Sequence, residues 1–187
     1  MFEYIHRIFS KGAVMRIAKN RGYDALLTDL YQITMMAGYF FNGIHEDLAT
    51  FELFTRRMPE FRSFMIAAGL EQSIEYLLNL KFTDEEICYL KNHATFKNVS
   101  EEFFDYLSSF HFTGDLWAIP EGSLVFPGEP LVTIKAPLIQ AQLIETILLA
   151  NINFQTMVAS KAARIVDAAN GHSIIDFGTR RAHGPEA

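Results

Sequence analysis

From Leu26 to Phe41, apolar positions at Leu26, Leu27, Leu30, Ile33, Thr34 and Ala37 recur every three or four residues, with Thr28 or Asp29 placed to cap the start and Gly43 to end the run. The spacing predicts an amphipathic helix. Ala49-Thr-Phe-Glu-Leu-Phe-Thr55 alternates with period two and predicts a strand that stops at Arg56-Arg57. A second helix is predicted from about Ala67 to Leu78. Thr83-Asp-Glu-Glu86 supplies a cap and first-turn carboxylates for a third, and Ser100-Glu-Glu102 opens a fourth through Phe103, Phe104 and Leu107. Between Gly114 and Pro137 the texture changes to short apolar runs divided by Pro120-Glu-Gly122 and Pro127-Gly-Glu-Pro130, which predicts an antiparallel β module. Helical spacing returns from Leu138 to Ala169, with a break expected near Asn151 to Asn153 and a stop at Gly171. Ser173-Ile-Ile-Asp-Phe177 then reads as an apolar strand bounded by glycines.

A strand directly after a long helix is how a parallel sheet or barrel begins, and such a strand requires a neighbour. None follows before Ala187, so the chain is expected to be the front part of a longer protein. The predicted class is α/β. Residues 1–25 form a basic lead-in, 26–137 a mixed α/β domain containing the antiparallel module, and 138–187 crossover helices with the first strand of an incomplete barrel.

Composition narrows the chemistry. Half of the 187 residues are hydrophobic and only 20% are charged, too apolar a balance for a disordered chain. The formal charge of −6 offers phosphate backbones and anionic lipid surfaces no general attraction, so nucleic acid and membrane surfaces are not expected partners. No uninterrupted apolar run approaches the roughly 18 residues that a membrane span needs. The single cysteine, Cys88, excludes an internal disulfide framework, suits a cytoplasmic location and is expected in the core. The six histidines show no metal-ligand spacing, so no metal site is assigned. Arg7, Lys11, Arg16, Lys19 and Arg21 in the lead-in fit either a transit segment or a plain basic extension, with Met15 as an alternative start.

Loops at strand ends of parallel α/β structures meet ligands, which places Asp176-Phe-Gly-Thr-Arg-Arg-Ala-His-Gly184 where catalytic loops are found. Paired arginines bind carboxylates and phosphates through forked hydrogen bonds, an aromatic beside them stacks a flat ring, and Gly178 admits close backbone approach. The same residue types also fit a solvated basic turn carrying a core phenylalanine. Asp29 and Tyr31 fit a helix cap and a half-buried core tyrosine as well as a site, and Arg56-Arg57 fits a charged strand end. The Pro-Gly-Glu-Pro-Leu131 turns resemble biotin or lipoyl carrier domains, but Lys135 falls within a strand and not at the hairpin tip that a carrier needs.

Leu27-Thr-Asp-Leu-Tyr-Gln-Ile-Thr-Met35, Ala49-Thr-Phe-Glu-Leu-Phe-Thr-Arg-Arg57, Ala67-Ala-Gly-Leu-Glu71, Pro120-Glu-Gly122, Phe126-Pro-Gly-Glu-Pro-Leu131, Glu145-Thr146, Asn153-Phe-Gln-Thr156, Lys161-Ala-Ala-Arg164 and Asp176-Phe-Gly-Thr-Arg-Arg-Ala-His183 together resemble the nicotinate phosphoribosyltransferases, in order along the chain. The resemblance implies an N-terminal mixed α/β domain followed by the irregular α/β barrel of type II phosphoribosyltransferases, assembled as a homodimer with active sites between subunits. It implies conversion of nicotinate and phosphoribosyl pyrophosphate to nicotinate mononucleotide and pyrophosphate in NAD synthesis, with Mg2+ and ATP hydrolysis. Tyr31, from the partner subunit, and Phe177 would then sandwich the pyridine ring. Arg180 would meet the substrate carboxylate or the 5′-phosphate, with Gly178, Thr179, Arg181 and His183 lining the pocket, Asp29 holding the nearby helix end and Arg57 a further anion contact. Thr179 and Arg181 match the acid-using enzymes, whereas nicotinamide-using relatives resemble Asp-Phe-Gly-Tyr-Arg-Gly here. By the same resemblance the phosphoacceptor histidine, the ribose-binding acids and the glycine-rich phosphate loop lie beyond Ala187. No catalytic residue is therefore assigned within this chain, which alone is expected to lack appreciable transferase activity; a non-catalytic fragment or a β-rich binding or carrier-like module is the alternative.

Overall fold

The computed structural model describes residues 25–182. The basic lead-in lies outside the described residues except for Ala25, and so does His183. Helix α1 spans Leu30–Phe41 and strand β1 Leu48–Phe54. A two-residue strand β2 (Met65–Ile66), α2 (Leu70–Asn79), α3 (Asp84–Asn92) and α4 (Glu101–Ser108) follow. Next come β3 (Asp115–Ala118), β4 (Leu124–Val125) and β5 (Pro130–Pro137), then α5 (Leu138–Leu143) and α6 (Glu145–Ala169).

Strand β5 lies between β1 and β3, antiparallel to both. Its register sets Val132 beside Leu53, Ile134 beside Phe51 and Leu116, and Ala136 beside Ala49, which gathers the apolar side chains on one face. That face packs against α5, while Thr133 and Lys135 fall on the other face beside Trp117 and Asp115. Lys135 is thus in mid-strand, away from any hairpin tip. The module read between Gly114 and Pro137 is antiparallel as expected but not self-contained, because β4 pairs with β2 and β1 joins β5.

The helices follow their signals where capping chemistry is local. Thr83 accepts from the Glu86 amide at 3.2 Å, and Glu86 answers by accepting from the Thr83 amide at 2.6 Å. Phe103, Phe104 and Leu107 of α4 are buried, and Phe103 packs edge-on to Phe40 of α1. Cys88, expected in the core, is exposed. Helix α3 buries Ile87 and Leu90, and about 100° per residue turns position 88 away from that stripe.

Two other expectations are corrected. The helix after Pro137 breaks at Ile144 and runs unbroken through Asn151 and Asn153. Asparagine costs an interior helix position only about 0.7 kcal/mol or less, whereas Ile152 between the two is 3% exposed and anchored in the core. The break falls beside Gln142, whose carbonyl accepts from the Gln32 side chain at 3.1 Å. Residues 173–177, read as a parallel strand, carry no ladder, and Ile174, Ile175 and Phe177 are exposed. Among the described residues no strand lies alongside to pair with them, and an extended segment becomes a strand only through a neighbour's N–H and C=O groups.

Strand β2 and the turn behind it are completed by side chains of α6. Ser160 Oγ accepts from the Ile66 amide at 2.8 Å, and Thr156 Oγ1 both accepts from the Ala68 amide at 3.2 Å and donates to its carbonyl at 3.1 Å. Both side chains are about 1% exposed, so no water can replace them. Thr156→Val and Ser160→Ala are each expected to cost about 1–3 kcal/mol in urea unfolding, since buried amides lose their acceptors. A double variant no less stable than the parent would refute this role.

An aromatic group of Phe40, His45 and Tyr106 closes the corner between α1 and β1. Tyr106 donates to Glu46 at 2.9 Å, and burial, then this bond, pushes its phenol far above the ordinary value of 10.0. A folded-state value above the unfolded one means that the phenol's contribution is fully present below about pH 10 and is lost as the pH climbs further. Alkaline unfolding curves of Tyr106→Phe should accordingly show a shallower decline above pH ~10 than the parent.

Candidate active site

The head of α1 is built from a polar network. Asp29 is the N-cap residue, extended at φ −76 and ψ 144, and its amide donates to Gln32 Oε1 at 3.4 Å. Gln32 is fully buried. Its Oε1 also accepts from Thr146 at 2.5 Å and from Thr28, while its Nε2 donates to the Gln142 carbonyl and to Glu145 Oε2, each at 3.1 Å. The beginnings of α1 and α6 are therefore held together by one glutamine. Tyr31, the residue before it, keeps 52% of its surface exposed, so its ring is presented outwards and not packed into the core. The Glu145 carboxylate beside it, then partial desolvation and Asp29, hold the phenol above its usual range.

A second surface opens between the end of β1 and α6. A cleft of about 500 Å³ is lined by Leu53, Phe54, Arg57, Met65, Asn153 and Met157. A neighbouring one of about 330 Å³ carries Phe51, Arg56, Ile134, Glu145 and Leu148, and the two share Leu53, Phe54 and Leu149. Together they form a mainly apolar groove with cations at one end, the composition expected of a small-molecule or peptide site. Among the described residues neither Arg56 nor Arg57 forms an ion pair, which leaves both guanidiniums open to an anion.

The third surface is the turn after α6. Asn170 (φ 45) and Gly171 (φ 83) end the helix in left-handed conformations, and Asp176 Oδ1 accepts from the Gly178 amide at 2.7 Å. A short 3-10 turn, Thr179–Arg181, follows. Phe177 is 72% exposed, and Arg180 and Arg181 are exposed without a carboxylate partner among the described residues. Phe177 is accordingly no core residue.

Tyr31, Arg57 and the Phe177–Arg181 turn thus occupy three separate elements, and among the described residues no ring contact joins Tyr31 to Phe177. Gln32 and Thr146, which fix the head of α1, are site-building residues that periodicity did not single out. The only available signal was a glutamine three residues after an Asp cap, the spacing of a capping box. Among the described residues no three carboxylate, histidine or cysteine side chains converge on a metal position, and no helix is long and apolar enough to cross a membrane.

Taken together, fold and surfaces define a mixed α/β domain that turns aromatic rings and guanidiniums outwards. The sequence signature of the nicotinate phosphoribosyltransferase N-terminal domain matches residues 26–153. The nicotinate phosphoribosyltransferase of Bacillus subtilis is 48% identical over 163 residues, covering 87% of this chain and 33% of that protein. One from Mycobacterium tuberculosis is 46% identical over 163 residues, covering 87% and 34%. The crystal structure of human nicotinic acid phosphoribosyltransferase superposes with a TM-score of 0.79 at 39% identity, covering 86% of this chain and 32% of that one. The fold also matches a nicotinate-nucleotide pyrophosphorylase from Pyrococcus furiosus, with a TM-score of 0.64 at 19% identity. The chain belongs to the nicotinate phosphoribosyltransferase family, and its match is to the N-terminal part. It spans about a third of the length of the curated relatives that it matches.

Proposed function

We propose that the protein carrying this chain forms nicotinate mononucleotide and pyrophosphate from nicotinate and phosphoribosyl pyrophosphate, for NAD synthesis in the cytoplasm, as a homodimer. The observation that supports this reading most is the outward display of Tyr31, Phe177, Arg180 and Arg181 on a chain whose residues 26–153 match the family's N-terminal domain. Rings and guanidiniums left open in this way suit a site finished by a second surface. Tyr31 of one subunit and Phe177 of the other stack the pyridine ring, Gly178 and Thr179 leave room for it, and Arg180 and Arg181 meet its carboxylate or the 5′-phosphate, with His183 beside them. Asp29 fixes the helix end that carries Tyr31, and Arg57 is a further anion contact in the groove.

The pyridine nitrogen attacks the anomeric carbon as the bond to pyrophosphate breaks, and the bonding electrons leave with the pyrophosphate. No proton need move, so rate comes from alignment and from cations placed where charge develops. ATP hydrolysis and Mg2+ belong to the proposal through the family, since the described residues supply no carboxylate cluster to hold the ion. The test is formation of nicotinate mononucleotide from nicotinate and phosphoribosyl pyrophosphate by the purified dimer; a dimer that binds neither substrate sinks the reading.

A further inference from the structure

Residues 173–177 are extended without a ladder, so among the described residues no sheet pairing holds the turn that follows them. It is held by its own bonds. Asp176 Oδ1 accepts from the Gly178 amide at 2.7 Å, and the Gly178 carbonyl accepts from the Arg181 amide, also at 2.7 Å. Among the described residues Asp176 is the one side chain between positions 171 and 182 that forms a hydrogen bond. An aspartate that turns back onto the second amide after it is common in loops. What singles this one out is how Gly178 is shaped to it. Gly178 has φ −80 and ψ −18, a conformation open to any residue, so backbone freedom does not call for glycine here. Space does: a Cβ would lie 2.8 Å from Asp176 Oδ1, 3.2 Å from Oδ2 and 3.4 Å from Cγ, and a larger residue would push the carboxyl group off the amide. The seating of the carboxylate also matters to the cations. Asp176 lies four and five residues before Arg180 and Arg181, and among the described residues it pairs with neither. The charge-assisted bond to an amide gives the carboxylate a neutral partner, and both guanidiniums keep their capacity for an outside anion.

We infer that Asp176 is a positioning residue for nicotinate binding: its carboxylate, seated on the Gly178 amide, sets the bend that turns the Phe177 ring and the Arg180 and Arg181 guanidiniums outwards together. The inference rests on reading those three side chains as part of the substrate pocket. Phe177 lies between the two bonded residues, inside the ring that the Asp176 hydrogen bond closes. Arg180 lies inside the next one, between the Gly178 carbonyl and the Arg181 amide. The two bonds are in series. Without the first, the Gly178 peptide is free to rotate, and with it the carbonyl that receives Arg181. A ring and two cations held in place before the substrate arrives spare the ordering cost that binding would otherwise carry, and this reaction draws its rate from alignment.

The test pairs two neutral variants. Asp176→Asn keeps an Oδ1 acceptor for the amide and Asp176→Ala removes it, so comparing them leaves the charge out. In the complete protein labelled with 15N-glycine, amide hydrogen exchange at Gly178 is expected to be about tenfold faster in Asp176→Ala than in Asp176→Asn. Asp176→Ala is also expected to lower kcat/KM for nicotinate by about 10- to 100-fold. Its melting curve should stay with the parent's, because the side chain is exposed. Asp176→Asn should keep most of the parent's kcat/KM. Equal exchange in the two variants overturns the inference. So does an Asp176→Asn turnover as poor as that of Asp176→Ala, which would make the charge and not the bond the operative feature. Turnover of nicotinate by Phe177→Ala and Arg180→Ala separates the turn from the site. If both keep the parent's turnover while exchange differs as expected, the turn stands and the site reading fails. If both lose it while exchange is equal, the site reading survives and the positioning role fails.

Discussion

Gly69→Ala should lose about 2–5 kcal/mol of stability, a large effect for a single added methyl. Gly69 sits at φ 97, outside the range that L-residues adopt freely, at the N-cap of α2. A Cβ there would lie 2.6 Å from the Asn151 carbonyl oxygen and 2.9 Å from both the Asn151 carbonyl carbon and Ile152 Cα. All three are backbone atoms of α6, so no rotamer change relieves the clash. The left-handed conformation alone costs a residue with a Cβ roughly 1–2 kcal/mol, and overpacking adds about 1–3. Separation of the two elements would also disturb the amides of Gly69 and Leu70, which donate to Glu121 at 2.6 and 2.7 Å and so cap α2 from a distant loop. Urea unfolding measures the loss directly. A change under about 0.5 kcal/mol, the level of a neutral surface substitution, would show that α2 and α6 are not in contact as described.

Arg180→Ala should have the opposite profile, with unfolding within about 0.5 kcal/mol of the parent because the side chain is exposed and unpaired among the described residues. Nicotinate turnover should fall by about 100- to 1000-fold, the range for removing one charge-stabilising donor from a reaction centre. Arg180→Lys should recover only part of it, since an ammonium cannot make the forked contact of a guanidinium with a carboxylate. Steady-state kinetics of the complete protein, set beside melting curves of the same samples, distinguish the cases. Equal losses in melting and turnover would make Arg180 a structural residue and remove it from the substrate pocket.

How far the chain could be read from its letters depended on the range of the interaction. Thr83 with Glu86, and the Phe103, Phe104 and Leu107 stripe, are local, and both were legible. Strand β1 was legible as alternation, yet its neighbour was not, because register with β5 is decided by residues far along the chain. Strand β2 is two residues long and owes its amide acceptors to α6, so no periodicity could reveal it. The kink at Ile144 also went unread; it falls beside a carbonyl bonded by a glutamine of another helix. Within the candidate site, Tyr31, Phe177 and Arg180 were visible as residue types, and the structure shows all three turned to solvent. Gln32, a fully buried polar group near them, was not singled out by the helical spacing, and only the packing of α1 on the helices after β5 turns it into a brace.

The two hydroxyls that close β2 sit four residues apart on α6, close to one turn, and thereby set the rotational phase of the whole helix. Past Ser160 the helix continues for nine residues to Ala169 with little packed against it, like a shaft held in a bearing at one end. Phe177, Arg180 and Arg181 leave from the free end, so the direction in which they point is set by Thr156 and Ser160, well back along the shaft. Between those two hydroxyls and the turn, one residue more or fewer would swing the aromatic and both guanidiniums by about 100° while moving them only ~1.5 Å along the axis. Length in this segment is in effect an angular setting, and a deletion harmless to every buried contact would still aim these side chains at a different quarter.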